Sequence, residues 1–511
     1  MGKIWTFTGL CLLITLASLP CTQSLKVGVL PMIGGSHTLS MDLITQQIIK
    51  RGHEAVTIIS NEPDRLKKLK PSPLALFEID RPATSEDFQS LLISSDPLYP
   101  VYGLYDIQTR YCDAILSNKT LLQSIQDVDI VVSDGIYFCS ILLPEVLNKP
   151  NIQISFSGGI IGFHTFVGQY EPSSYIPLRI TLSASGNVEK KMAFAQRAAN
   201  FIFGKIFFAL MEYFSVSVVN KLRFKHNIST HLTLHQLRQK PSLFLTAVDF
   251  SIEYTRPLPP YIQAIGPITP KPASPLPPAF QTIMQNSTSR GVVLVSFGSE
   301  LQLSDDNLPK MTAALGKLPY TVIWKTRQKI DNIPSNVNVV QWVPQNDILG
   351  HRKTIAFITH CGSNGLYEGA YHGVPMIGMP GMIEQIGNAE RLLRAGVAIY
   401  VDFNNFSEAD IINAVTELVE NKRYKDNAVK ISKVIKSRRR SPTDTVVDWI
   451  EYVVETDGAH HLKVEGENLW FYEFYNLDVL LVVTAIIYII YCVLAFFIKA
   501  ICSSKSKAKV D

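Results

Sequence analysis

The 511-residue sequence has few cysteines and little net charge, and each shortage excludes a class of protein. Its seven cysteines are scattered without paired spacing, so neither a disulfide framework nor a zinc site is predicted. Cys112, Cys139 and Cys361 lie in the main body of the chain, and the sequence leaves their disulfide state open. A formal net charge of +4 implies no large basic face, so we expect no nucleic-acid partner.

Both ends of the chain carry apolar runs that are typical of membrane proteins. Residues 1–24 hold one lysine, an apolar stretch and small residues before a possible cleavage point, which predicts a secretory signal peptide rather than a retained anchor. Residues 479–498 contain no charge and are long enough to cross a bilayer as a helix, the alternative being a buried core helix. The lysines of residues 499–511 place that tail in the cytosol and the bulk of the chain in the lumen.

Shorter signals agree with a lumenal, single-pass type I protein of the endoplasmic reticulum membrane. The last five residues, "KAKVD", resemble a retrieval signal, although a solvated basic tail explains them equally well. Four N-x-S/T triplets predict a glycoprotein, and such triplets also occur by chance. They start at Asn118, Asn227, Asn286 and Asn405.

The length and the hydrophobic pattern predict two α/β domains. In residues 25–265, "LKVGVLP", a helical window and "AVTIIS" form a β-α-β unit, and a second unit ends at "DIVVSD". Residues 266–280 are proline-rich and predict a stiff linker. The alternation resumes in residues 281–455, and residues 456–478 lead to the membrane helix. Each half is expected to be a doubly wound parallel sheet.

Residues 190–225 are helical in pattern and rich in phenylalanine. We interpret them first as a pair of core helices. The alternative is a surface that lines a lipophilic pocket or touches the membrane.

The stretch "HCGSNGLYEG", residues 360–369, places polar residues where a buried strand turns into a helix. Gly362 permits a tight turn, and the unpaired N–H groups at a helix start form an anion site. Glu368, one turn later, is suited to accept hydrogen bonds from ribose hydroxyls. The alternative is that these residues only serve the turn. The polar residues expected around a phosphate are His360, Ser363, Asn364 and Gly365.

Further polar residues follow neighbouring strands of the same half. Trp342 offers a flat face to a nucleobase and Gln345 offers an amide to its edge. Glu384 beside Gln385 is suited to bind sugar hydroxyls, and Ser299 lies in a turn that could touch phosphate. All these positions lie at carboxyl ends of predicted strands, where open α/β sheets bind ligands.

In the first half, His37 follows the first strand and Asp134 ends "DIVVSD". An imidazole is a suitable base for a hydroxyl near neutral pH, and a carboxylate could orient it. The alternative is that both residues only cap helices.

The run from Trp342 to Gln385 closely resembles the sugar-nucleotide signature of the UDP-glycosyltransferase family, and its animal membrane-bound branch, which includes the UDP-glucuronosyltransferases, matches best. The likeness continues through "VDFNNFSEADIINAV", "DWIEYV" and both terminal segments. It implies a GT-B fold, with two Rossmann-like domains facing a cleft, and a UDP-sugar as co-substrate without a metal or other cofactor. Glu384 stands where the animal enzymes commonly have aspartate and Cys361 where they have glycine, so the sugar is left open.

The resemblance also implies roles for the residues quoted above. Trp342 and Gln345 match the uracil-binding positions, and Glu368 matches the ribose ligand. His37 and Asp134 match the catalytic dyad. The positions that match the diphosphate-binding residues are Ser299, His360, Asn364 and Gly365. The pair that matches the sugar-binding residues is Glu384 with Gln385.

The expected reaction is inverting transfer of a sugar, glucuronic acid first, to a hydroxyl of a small lipophilic acceptor. A cation such as Arg256 could favour the glucuronate carboxylate. Transfer of glucose or galactose to a lipid or steroid is the alternative enzyme. A catalytically silent UDP-sugar- or lipophile-binding protein and a single-span receptor are alternatives of another class. The expected partners are the donor, the acceptor and the bilayer, and a homo-oligomer is left open.

Overall fold

The computed structural model describes residues 24–507 apart from 68, 85, 88–89, 92–98, 157–171, 178–191, 288–289, 299–300 and 382. Residues 1–23 of the predicted signal peptide, and Ser299, therefore lie outside the described residues. The described residues up to His460 form one compact unit, and those from His461 onward form a second.

The first sheet has seven parallel strands in the order β3-β2-β1-β4-β5-β6-β7. Its central strands are buried on both faces, which explains why they read as continuous apolar runs in the sequence. The strands are β1 Lys26–Leu30, β2 Glu54–Ser60, β3 Leu74–Phe77, β4 Ile130–Asp134, β5 Asn151–Ser155, β6 Leu243–Thr246 and β7 Ile262–Ala264.

The second sheet has six parallel strands in the order β10-β9-β8-β11-β12-β13. Apart from the extra edge strand of the first sheet, the two orders are the same, so the predicted pair of doubly wound halves is confirmed. The strands are β8 Val292–Ser296, β9 Thr321–Lys325, β10 Val337–Val340, β11 Thr354–Thr359, β12 Met376–Gly378 and β13 Ala398–Tyr400.

Helices connect the strands and cover both sheets. Those of the first half are α1 Gly35–Lys50, α2 Pro63–Leu66, α3 Tyr99–Ser117, α4 Lys119–Ser124, α5 Cys139–Leu147, α6 Phe194–Lys225 and α7 Leu234–Arg238. Those of the second half are α8 Pro278–Asn286, α9 Asn307–Lys317, α10 Gln345–Leu349, α11 Ser363–His372, α12 Ile383–Arg394, α13 Glu408–Glu420, α14 Lys422–Lys436 and α15 Pro442–Glu455.

The core of the second half lies on both faces of its sheet, because alternate residues of one strand point to opposite sides. Val292 and Leu294 belong to the cluster beneath α11 and α14. Val293 and Val295 belong to the cluster beneath α9 and α13. This packing fixes the carboxyl ends of the strands, where the polar turns begin.

The interpretation of residues 190–225 as a pair of core helices is wrong. The structure has one 32-residue helix, α6, and only its second half packs into the core through residues such as Val219 and Leu222. In its first half Phe194, Phe203 and Ile206 are exposed. An apolar stretch cannot by itself distinguish a buried helix from an exposed one.

A disulfide joins Cys112 of α3 to Cys139, the first residue of α5, with their Cα atoms 5.3 Å apart. The sequence left the disulfide state of these cysteines open, and the structure shows that this bond crosslinks two helices on the first sheet. Cys361 is a free, buried cysteine.

Helix α15 returns from the second half to α1 of the first. Arg51, the C-cap residue of α1, donates hydrogen bonds to Asp448 and Glu451 at 2.8 Å. The neighbouring His53 Nε2 lies 2.9 Å from Glu451 Oε1. The two halves are thus joined by polar contacts as well as by the chain that links them.

The second unit consists mainly of α16 Phe471–Phe474 and α17 Leu477–Lys507. Leu477–Ala500 is long and apolar enough to cross a membrane, and none of it is buried. This span includes the predicted residues 479–498. Helix α6 is also long and apolar enough to cross a membrane, and 22% of its most apolar stretch is buried.

Each sheet has a point at which its strand order reverses, between β1 and β4 in the first sheet and between β8 and β11 in the second. Loops at the carboxyl ends of such strands diverge and leave a crevice. His37 and Asp134 follow β1 and end β4, and His360 follows β11. The fold therefore brings the residues singled out in the sequence to two corresponding crevices.

Candidate functional site

His37 and Asp134 form a hydrogen-bonded pair at the first crevice. His37 Nδ1 lies 2.6 Å from Asp134 Oδ2, and the Asp134 side chain is fully buried. Because a carboxylate can only accept, Nδ1 carries a proton, and in the neutral ring Nε2 keeps a lone pair. The other Asp134 oxygen accepts from the main-chain N–H of Ile136 at 3.2 Å, which fixes the carboxylate.

Opposing effects set the pKa of His37. Burial disfavours the imidazolium, but the charge of Asp134, the hydrogen bond to it and the charge of Glu384 outweigh burial and raise the pKa above its ordinary value. The side chain is 24% exposed, so an outside group can reach it. Phe156 packs edge-on against the ring with centroids 5.7 Å apart.

The second half approaches this pair through α11 and α12. Glu384, in the first turn of α12, is close enough to influence the pKa of His37. Asn364 Nδ2 of α11 lies 3.5 Å from Ser40 Oγ of α1. The first turns of α11 and α12 therefore lie near the His37–Asp134 pair.

Helix α11 begins at Ser363 with Gly362 as its N-cap. The first intrahelical bond is donated by the N–H of Leu366, so the N–H groups of residues 363–365 have no partner within the helix. Ser363 Oγ donates to Glu384 Oε1 at 2.9 Å. The start of α11 thus combines backbone donors that have no partner within the helix with a side chain from α12.

His360 lies between two glycines at the second crevice. A Cβ on Gly298, whose φ is 82°, would lie 2.8 Å from His360 Nε2, and one on Gly362 would lie 2.5 Å away. Burial and the nearby charge of Lys325 lower the pKa of His360 to about 4. The ring is therefore neutral at physiological pH.

Gln345 and Glu368 are brought together by α10 and α11. Gln345 Nε2 donates to Glu368 Oε2 at 2.7 Å. Burial raises the pKa of Glu368 to about 7, against the effect of this hydrogen bond. A Cβ on Gly365 would lie 3.2 Å from Gln345 Nε2, so glycine leaves room for the amide. Trp342, three residues before Gln345 in the chain, is 64% exposed.

Two other predicted residues are engaged within the protein. Gln385 is buried, and its Oε1 accepts from the main-chain N–H of Gly381 at 2.9 Å. The Arg256 side chain is 4% exposed, and its Nη2 donates to Glu253 Oε1 at 3.0 Å. The candidate cation for a carboxylate is therefore already paired with an acid.

Two further residues near the crevice were not among those predicted from the sequence. Lys325 ends β9, and its charge adds to the lowering of the pKa of His360 and opposes the rise that burial causes in the pKa of Glu368. Its place at the end of a strand was the available signal. Asn388 of α12 donates to Glu384 Oε1 at 2.7 Å. Its helical position gave no signal.

The chain contains one Asp-x-Asp triplet, a pattern that can hold a nucleotide-bound metal. It is Asp127–Val128–Asp129, before β4. Asp127 accepts from Lys26 Nζ at 2.6 Å and Asp129 from the main-chain N–H of Lys26 at 2.7 Å. Because Lys26 begins β1, the triplet lies at the amino ends of the strands, whereas His37 lies at their carboxyl ends.

Known sequences resemble the chain over most of its length. The family model described as "UDP-glucoronosyl and UDP-glucosyl transferase" matches residues 25–508. UDP-glucuronosyltransferase 2B33 of Macaca mulatta is 30% identical over 91% of this chain and 92% of its own length. UDP-glucuronosyltransferase 2B7 of Homo sapiens is 30% identical over 87% of each chain, and UDP-glucuronosyltransferase 1-2 of Mus musculus is 30% identical over 98% of each.

Solved structures resemble the fold at lower identity. The glycotransferase of kitacinnamycin aligns with a TM-score of 0.59 at 16% identity, over 84% of this chain and 99% of its own. The calicheamicin glycosyltransferase CalG4 aligns with a TM-score of 0.59 at 17% identity, over 84% and 98%. The two parallel sheets thus form a GT-B fold, and the chain belongs to the UDP-glucuronosyl and UDP-glucosyl transferase family.

Proposed function

We propose that this UDP-glycosyltransferase moves a sugar to a hydroxyl of a small lipophilic acceptor, with His37 as the general base. The observation that carries this proposal is the 2.6 Å contact between His37 Nδ1 and Asp134 Oδ2 beside Glu384. The contact leaves Nε2 of His37 free to accept the hydroxyl proton. Asp134 holds the ring in that tautomer and stabilises the imidazolium that forms.

The acceptor oxygen then attacks the anomeric carbon from the face opposite the UDP, so the configuration inverts. The start of α11 supports this step, because its N–H groups and the positive end of its dipole can take the charge that develops on the leaving diphosphate. Neutral His360 adds a hydrogen-bond donor. We propose that these groups stabilise the leaving diphosphate without a metal ion or other cofactor.

In the proposed donor site the remaining residues keep the roles that the family likeness implies. Trp342 stacks on uracil, and Gln345 binds its edge. Glu368 accepts hydrogen bonds from the ribose, and Glu384 with Gln385 binds the sugar hydroxyls. The 2.7 Å bond between Gln345 and Glu368 supports a common orientation of both side chains. Ser299 completes the diphosphate contacts in this proposal.

Glucuronic acid is the proposed sugar, supported by the names of the relatives. Glucose is the second candidate, and the pairing of Arg256 with Glu253 favours it, because a neutral sugar needs no cation. Supplying UDP-glucuronic acid, UDP-glucose, UDP-galactose and UDP-N-acetylglucosamine in turn distinguishes them.

The test measures UDP release by membranes that express the chain, with a mixed phenol and steroid acceptor pool. We expect release with one donor and its loss in the His37→Ala variant. No release with any donor, from protein that binds UDP, would support the catalytically silent binding protein.

We also propose that the chain lies in the endoplasmic reticulum membrane, with α17 as its single span and the catalytic unit in the lumen. The four N-x-S/T asparagines support this orientation, since all are half-buried or exposed. Protection of the catalytic unit from protease in sealed microsomes, and a mass shift after removal of N-glycans, are the expected results. Digestion of that unit without detergent would contradict the orientation.

A further inference from the structure

Asn388 lies at the centre of a buried polar cluster on α12. Its side-chain amide donates to Glu384 Oε1 at 2.7 Å and to the main-chain oxygen of Cys361 at 2.9 Å. Ser363 Oγ is 3.4 Å from the same nitrogen. Asn388 is 4% exposed. One amide group therefore joins the turn before α11, the first residue of α11 and the carboxylate of α12.

Arg391, one turn further along α12, fixes the orientation of this amide. Its Nη1 donates to Asn388 Oδ1 at 2.9 Å. A guanidinium has only donors, so the amide oxygen has to face Arg391 and the NH₂ group has to face Glu384. A rotated amide would place two donors together and leave the Glu384 carboxylate facing an oxygen.

The first half of the chain holds Arg391 in turn. Arg391 Nε donates to Glu253 at 2.9 Å, and Glu253 is 2% exposed. Glu253 also accepts from Arg256. Arg394, at the end of α12, donates to the main-chain oxygens of Ile252 and Glu253 at 2.7 and 3.1 Å. These bonds form a continuous path from the segment after β6 to Glu384.

We propose that Asn388 is a positioning residue for donor recognition, and that Glu253 and Arg391 act through it. Asn388 sets the Glu384 carboxylate and the start of α11 in one arrangement, so the first half helps to shape the site that binds the UDP-sugar. This inference rests on the proposed role of Glu384 and α11 in binding that donor.

The Asn388→Asp variant separates this role from simple packing. Aspartate keeps the volume and still accepts from Arg391. Its buried charge lowers the stability of the fold in either case, and the midpoint of thermal unfolding measures that cost, so the comparison of the donor KM with the acceptor KM carries the test. In the proposed role, the change replaces the NH₂ group by an oxygen that repels Glu384 and no longer binds Cys361. Asn427→Asp is the matched control, because among the residues that the structure describes Asn427 Nδ2 makes one hydrogen bond, to the main-chain oxygen of Gly396 at 3.1 Å.

The experiment uses full-length protein in membranes and measures KM for the UDP-sugar, KM for the acceptor, kcat and the midpoint of thermal unfolding. For Asn388→Asp we expect the donor KM to rise about tenfold or more. The acceptor KM should stay within about twofold, because the acceptor does not contact this cluster in the proposed site. Arg391→Lys should raise the donor KM less, and Asn427→Asp should match wild type.

A wild-type donor KM in a folded Asn388→Asp protein would overturn the inference, as would equal increases for donor and acceptor. If that variant does not fold, Arg391→Lys decides by the same comparison of the two KM values. Wild-type protein that neither binds UDP nor transfers sugar would instead contradict the proposed function. The two failures are therefore distinguishable.

Discussion

The two histidines of the crevices occupy corresponding edges of two sheets with the same strand order, yet their surroundings are opposite. His37 contacts the buried Asp134, and its pKa is raised. His360 is enclosed near Lys325 between Gly298 and Gly362, and its pKa is lowered to about 4. Burial lowers the pKa of both rings. The charge of Asp134 outweighs that effect at His37, whereas the charge of Lys325 adds to it at His360.

This difference shows that the position of a histidine at the end of a strand does not determine whether it acts as a base or as a hydrogen-bond donor. A histidine beside a carboxylate is suited to take a proton and to be stabilised as a cation. A histidine that stays neutral can donate a hydrogen bond to an anion without titrating near pH 7. We therefore assign catalysis to the first crevice and diphosphate binding to the second, and the following predictions test that division.

The largest expected effect is that of His37→Ala. Loss of the general base should lower kcat about 10³-fold. Because His37 lies outside the proposed UDP contacts, the Kd for UDP should stay within about twofold. UDP release and titration calorimetry measure the two quantities. A near-wild-type kcat in the His37→Ala protein would contradict the assignment of His37 as the general base.

The next effect is that of Asp134→Asn, which we expect to lower the maximum rate about 10²-fold. Asp134 raises the pKa of His37, whereas burial lowers it, so the variant should have a lower His37 pKa. Since the neutral ring is the active form, the acidic limb of the kcat/KM profile should move to lower pH. The matched control is Asp129→Asn, near the other end of β4, and it should leave the profile in place.

A smaller effect is expected for His360→Ala. The variant loses one donor to the diphosphate, and the Kd for UDP should rise about tenfold. Because the pKa of His360 is about 4, this loss should be the same from pH 6 to 8. His351→Ala, before the other end of β11, should bind UDP normally. A pH-dependent loss in this range would show that His360 titrates.

The smallest expected effect is that of metal removal. If the N-terminus of α11 and His360 take the charge of the leaving diphosphate, a chelator should change the rate by less than about twofold. The measurement is UDP release with EDTA and after addition of Mg²⁺. A rate that collapses with EDTA and returns with Mg²⁺ would require a metal at the second crevice.

Local sequence signals predicted the strands and the turns of the site well. The apolar runs that became β1, β4, β8 and β11 are bounded by turns, and each strand is buried on both sides. The carboxyl ends of neighbouring parallel strands lie on the same side of a sheet. His37 and Asp134 could therefore be expected to lie close together even though 97 positions separate them.

Contacts between distant segments were not predictable in the same way. The Cys112–Cys139 bond depends on how α3 packs against α5, and the spacing of the cysteines carries no sign of it. The pairing of Glu253 with Arg391 joins residues 138 positions apart across the two halves. The exposure of α6 depends on its neighbours, which its composition does not specify.

The most direct measurement of the central claim is the anomeric configuration of the product, determined by proton NMR with an α-linked UDP-sugar donor. Single displacement by a hydroxyl activated by His37 predicts the β-linked product alone. An α-linked product would contradict the account, because retention requires a second displacement or attack from the side of the leaving UDP.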